Sequence, residues 1–238
     1  VSLGLLLLIG IGPALPWGHA DNRNVRRALL FPIPAAIAGL LLTFVAGGRT
    51  WGVLATGALA AYAVWVNLDQ GLRLSRKRRE DEPWTEAVGE AVRRGARRYG
   101  AYFAHLGVIV TFVAIAVSSS YQTAQEATLR PGESMTVAGY KLTFERVEAR
   151  PEPHRISDRA RMRIEHNGKD AGTLEPALNR YDTRMEPIGT PAVRTAISHD
   201  LYLSLMNVGT DGSIGMRAIV TPAVVWIWIG VFIIVAGT

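Results

Sequence analysis

Residues 28–48 read ALLFPIPAAIAGLLLTFVAGG, a stretch without a single charge. A helix crosses the hydrocarbon core of a bilayer in about 20 residues, and every backbone amide left unpaired there costs several kcal/mol. The stretch therefore reads as a membrane span, and the reading extends outward along the chain. Residues 51–68 and 218–238 are equally free of charge, and residues 99–120 are interrupted only by His105. Residues 1–15 look like the tail of a further span. In a chain of 238 residues, 49% of them hydrophobic, this arrangement decides for a membrane protein over one large soluble domain. Because the chain begins on Val1 inside an apolar run and ends on Gly237-Thr238 with no polar flank, it is expected to be a fragment of a larger chain. A signal peptide accounts less well for the first residues: no charged segment precedes them, and residues 13–17 make a poor cleavage site.

Charge asymmetry between loops sets the expected orientation, since short cytoplasmic loops accumulate Lys and Arg. Residues 16–27 carry Arg23, Arg26 and Arg27 against Asp21, and residues 69–98 carry nine basic residues against six acidic ones. Both are expected to be cytoplasmic. The link at Gly47-Gly48-Arg49-Thr50 and the long segment 121–217 then lie outside. That segment holds 13 basic and 13 acidic residues, so the whole +6 excess resides elsewhere. The run Arg76-Lys77-Arg78-Arg79 directly follows a span, where anionic membrane lipid explains it better than nucleic acid. From Trp84 to Arg98 the pattern suggests an interfacial helix leading into the next span.

Segment 121–217 alternates as β-structure does. Met135 and Val137, then Tyr140, Leu142 and Phe144, flank a turn at Ala138-Gly139. Ala160, Met162 and Ile164 alternate with Arg159, Arg161 and Arg163, placing three arginines on one face. Asn167-Gly168 is a strong hairpin signal, because both residues tolerate positive φ. Leu201, Leu203 and Leu205 form another strand, and residues 210–213 turn the chain toward the last span. The expected fold class is a polytopic α-helical membrane protein with an inserted small all-β extracytoplasmic domain, a sandwich or barrel.

Cysteine is absent, which removes disulfides, thiolate metal sites and thiol nucleophiles from this chain. No nucleophile elbow and no phosphate-binding glycine loop is present, so no residue is assigned a catalytic role. An ionisable residue inside a span is a candidate site by default, and His105 is the only one. A structural histidine bonded to a neighbouring helix and a metal or haem ligand are both open readings of it. Its neighbours Ala101, Ala104 and Gly107 are small enough to admit a flat macrocycle or another helix. His19, His154, His166 and His199 form no metal-binding spacing. His199 adjoins Asp200, although an exposed histidine is the simpler expectation.

Several phrases, in order, resemble the C-terminal part of the CcmF family and its relatives in nitrite-reductase assembly. They are Gly12-Pro13-Ala14-Leu15-Pro16-Trp17; Arg98-Tyr99-Gly100-Ala101-Tyr102-Phe103-Ala104-His105-Leu106-Gly107; Leu174-Glu175-Pro176 with Arg180-Tyr181; Asp200-Leu201-Tyr202-Leu203; and residues 222–230, PAVVWIWIG. The resemblance covers nearly the whole chain. It implies that His105 is one axial ligand of a haem b buried in the membrane, with haem iron as the metal. It implies further that the full-length protein is a haem lyase subunit for cytochrome c maturation in the bacterial inner membrane, with residues 121–217 periplasmic. The partners implied are haem, the haem chaperone CcmE, CcmH and apocytochrome c. The family's tryptophan-rich segment, its external histidines and the partner of His105 are absent here and are expected upstream of Val1. Two other readings stay open: a non-catalytic scaffold for cytochrome c assembly partners, and a transporter, the latter disfavoured because no span is broken at mid-depth.

Overall fold

A computed structural model describes residues 2–15, 22–76 and 96–238. Expectations for His19, for the Lys77-Arg78-Arg79 part of the basic run and for most of the interfacial segment 84–98 lie outside the described residues. The chain divides into a helical unit, which ends at Ser120 and resumes at Trp226, and a β unit between them, Tyr121–Val225.

The helical unit contains α1 (Ser2–Ile11), α2 (Asn22–Leu30), α3 (Ile33–Val45), α4 (Trp51–Arg76), α5 (Ala96–Ser120) and α6 (Val224–Gly237). Among the described residues, three segments are long and apolar enough to cross a membrane: Val25–Val45, Trp51–Leu72 and Tyr99–Ser120. The first of these is not one helix. Pro32 has no amide hydrogen to continue the α2 ladder, so the chain turns at Phe31-Pro32, and Pro34 stands in the first turn of α3, where an amide hydrogen has no partner within the helix. The break frees backbone carbonyls, and the Tyr62 hydroxyl donates to that of Leu29 at 3.1 Å.

The last span also differs from expectation. Residues 218–222 belong to a strand, and the helix begins only at Val224 and runs for 14 residues. Apolar content alone had joined a buried strand to the helix that follows it.

Packing in the helical unit inverts the pattern of a water-soluble bundle. Small residues such as Ala60 and Ala63 are buried, whereas Leu42, Phe44, Val45, Trp228 and Phe232 face outward. Lipid tails are as apolar as leucine, so close contact between small residues, rather than burial of large ones, holds membrane helices together. With three segments able to span a membrane and a β domain between Ser120 and Trp226, the fold is that of a polytopic helical membrane protein carrying an inserted sandwich.

The β unit has ten strands in two antiparallel sheets. One runs β1 (Thr123–Leu129), β10 (Ile214–Pro222), β9 (His199–Val208), β8 (Ala192–Arg194). The other runs β2 (Ser134–Val137), β3 (Tyr140–Glu152), β4 (Arg155–His166), β6 (Ala177–Tyr181), β7 (Ile188–Thr190), with β5 (Lys169–Leu174) also paired to β4. The core draws alternate residues from both sheets: Leu142, Phe144, Met162 and Ile164 from one, Leu201, Leu203, Leu205, Met216 and Ala218 from the other. Two tight hairpins fix the register. Ala138 and Gly139 have φ of 44° and 81°, and Asn167 and Gly168 have 50° and 76°, the two-residue geometry whose twist matches the flanking strands.

Candidate functional site

His105 lies on α5, and two faces of that helix position it. On one face, Gly100, Ala104, Gly107 and Thr111 meet α6 backbone to backbone. A Cβ added to Gly107 would stand 2.7 Å from the Gly230 carbonyl, and one on Gly237 would stand 2.5 Å from the Ala104 nitrogen. The small residues near His105 therefore admit another helix, not a flat ligand, on this face. On the other face, Ile109 packs with Leu6 of α1 and with Ala60 and Ala63 of α4. His105, one turn earlier, turns toward α4 as well.

There it meets Asn67. The His105 Nδ1 atom lies 3.1 Å from the Asn67 Oδ1 atom, and Asn67 Nδ2 donates to the Ala63 carbonyl at 2.8 Å. Asn67 is only 1% exposed, whereas His105 is half-buried. His105 is legible in the sequence because it is ionisable, whereas Asn67 carries no charge and is less conspicuous in its span. The signal was available: a carboxamide within a span otherwise dominated by Ala, Val, Leu and aromatic residues.

Three other histidines, His154, His166 and His199, belong to the β unit. His154 occupies the β3–β4 turn with φ of 66°. The His166 ring stacks on that of Tyr140, with centroids 4.2 Å apart. His199 takes its partners from Tyr140, whose hydroxyl is 2.8 Å from Nε2, and from the Ser198 hydroxyl, 2.8 Å from Nδ1. Its neighbour Asp200 is not one of them. Burial pushes the Tyr140 phenol above its ordinary range, so it stays a neutral hydrogen-bonding group. Among the described residues no three His, Asp or Glu side chains converge as a metal site.

Arg159, Arg161 and Arg163 of β4 do share an outer face, and each has a carboxylate partner there. Arg159 pairs with Glu152 at 3.0 Å, while Arg161 and Arg163 both reach Glu145, at 3.3 and 2.6 Å. The Arg180-Tyr181 phrase has a structural use: Arg180 pairs with Asp158 at 3.0 Å, and the Tyr181 hydroxyl accepts from Arg155 at 3.0 Å. Both contacts tie β6 to β4. In the helical unit, a concavity of about 960 Å³ between α2, α3 and α4 is lined by Arg23, Arg26 and Arg27 together with Phe31, Pro34, Ala38 and Trp65.

Comparison with known proteins bears on both units. Residues 120–222 match the CcmF C-terminal β-sandwich family. Cytochrome c-type biogenesis protein CcmF of Pseudomonas fluorescens is 29% identical over 233 residues, covering 96% of this chain and 34% of that protein. Cytochrome c-type biogenesis protein ccl1 of Rhodobacter capsulatus is 28% identical, covering 99% of this chain and 35% of its own length. The solved structure of cytochrome c haem lyase CcmF superposes with a TM-score of 0.79 at 26% identity, over 99% of this chain and 38% of that one. The chain thus spans about a third of the length of the relatives it matches. Residues 120–222 thus belong to the CcmF C-terminal β-sandwich family, and the chain as a whole is similar to the C-terminal portion of the CcmF cytochrome c-type biogenesis proteins.

Proposed function

We propose that this chain is part of a haem lyase for cytochrome c maturation, in which His105 would hold the iron of a haem b within the membrane. The observation that carries the proposal is the likeness, over 99% of the chain, to a solved cytochrome c haem lyase. The donor chemistry fits. A neutral imidazole needs no charge compensation in an apolar bundle, and His105 uses only one ring nitrogen in hydrogen bonding among the described residues. When bound, a haem b would supply one-electron redox chemistry.

The chain's own part is to hold and orient. α6 and α4 clamp α5 from two sides, and the sandwich, periplasmic in this reading, is the part that meets apocytochrome c. CcmE as haem donor and CcmH as presenter of apocytochrome are the partners this reading requires. The arginines lining the groove between α2, α3 and α4 suit anionic headgroups at the cytoplasmic face of the inner membrane.

The test is a pyridine haemochrome spectrum of the full-length protein with and without His105→Ala. Loss of b-type haem from the variant is expected, and an unchanged content would sink the assignment.

A further inference from the structure

Asn67 stands out in the helical unit: a carboxamide only 1% exposed, in a stretch of sequence made chiefly of alanine, valine, leucine and aromatic residues. A buried amide without partners is strongly unfavourable, so its two ends must be used, and they are used directionally. Nδ2 lies 2.8 Å from the Ala63 carbonyl, an atom that can only accept. That end of the amide is therefore the NH₂ group, and the end facing His105 is the carbonyl oxygen. It lies 3.1 Å from Nδ1 and can itself only accept. The ring proton must then sit on Nδ1, which leaves the Nε2 lone pair unprotonated, and no hydrogen bond from the described residues engages Nε2.

We propose that Asn67 is the positioning residue of His105, fixing the Nδ1–H tautomer and the rotation of the ring so that Nε2 is the nitrogen presented to haem iron. The inference rests on the haem b reading above and deepens it. Histidines that ligate metals commonly donate their second N–H to an acceptor of the protein, which sets the tautomer and makes the ligating nitrogen more basic. A hydrogen bond that only joined two membrane helices would have no such requirement for direction. The two roles part at the iron, and that is where they can be told apart.

The experiment uses the full-length protein with its native haem, comparing wild type, Asn67→Leu, Asn67→Asp and His105→Ala by haem content, reduction potential and the low-spin ferric EPR spectrum. Leucine keeps the volume and removes the acceptor, and haem b should be retained about tenfold to a hundredfold more weakly. Aspartate keeps an acceptor and strengthens it, so haem should remain while its reduction potential falls. This second variant decides the matter even if Asn67→Leu fails to fold. If His105→Ala loses haem b while both Asn67 variants keep wild-type content, potential and EPR spectrum, the positioning role is overturned and the ligand assignment stands. If His105→Ala keeps its haem, both are overturned together.

Discussion

Gly57 meets Thr43 so closely that a single methyl has no room: a Cβ there would stand 1.9 Å from the Thr43 Oγ1 atom and 3.1 Å from the Gly39 carbonyl. Thr43 is itself held, its hydroxyl donating to the Gly39 carbonyl at 2.7 Å. This contact brings α3 against α4, the helix that carries Asn67. Gly57→Ala is expected to destabilise the protein by about 1–3 kcal/mol, the usual range for overpacking. Thr43→Ala added to it removes the nearest clash and should restore part of the loss. Thermal unfolding of the purified full-length protein, scored as a double-mutant cycle, checks both. Equal destabilisation with and without Thr43→Ala would show that the clash lies elsewhere. At this scale the sequence was half legible. His105 announced itself because an ionisable group in a span is conspicuous. Asn67, and the glycines that bring α3 and α4 together, are uncharged, and their meaning depends on which helix lies opposite.

Strands proved easier to read where two-residue turns punctuate them than where apolar stretches follow one another. The hairpins at Ala138-Gly139 and Asn167-Gly168 were evident because positive φ restricts the residues that can stand there. Strand β10 was not, because Ala218, Ile219 and Val220 adjoin an apolar helix and continue its composition. Alternation was present, with Met216, Ala218 and Val220 buried against Leu201, Leu203 and Leu205 of the neighbouring strand, but hydrophobic Ile219 blurred it. The turn at residue 168 offers a clean test of how much local geometry contributes. Gly168 has φ of 76°, and a Cβ there would touch nothing within 4 Å, so any cost of substitution is backbone strain alone. Gly168→Val should lower the stability of the sandwich by about 1–2 kcal/mol without disturbing its core. Chemical denaturation followed by sandwich tyrosine fluorescence or hydrogen exchange of β4 and β5 measures it. No loss of protection would mean that the hairpin's register is set by side chains and not by the turn.

Across the whole molecule, one charge argument has to agree with two structural units. The helical unit presents large apolar side chains outward, and the sandwich, with charges balanced over residues 121–217, contributes nothing to the +6 excess. Long segments are translocated largely regardless of their charge, so the orientation is read from the short loops, whose Lys and Arg stay on the cytoplasmic side. The expected arrangement therefore puts Arg23, Arg26 and Arg27 inside, and Thr50 and the sandwich outside. The absence of cysteine from this chain makes the arrangement measurable, since a single introduced thiol reports its own side of the membrane. In a full-length protein freed of any other cysteine, Met185→Cys and Thr50→Cys should react with a membrane-impermeant maleimide in intact spheroplasts. Arg26→Cys should react only after permeabilisation. Met185 is fully exposed in the sandwich, so a failure to label it in intact spheroplasts could not be blamed on burial within its own unit. It would place the sandwich in the cytoplasm, away from any periplasmic apocytochrome. The proposed lyase role would then fall with the topology, because haem attachment to an exported protein needs the sandwich and that protein on the same side.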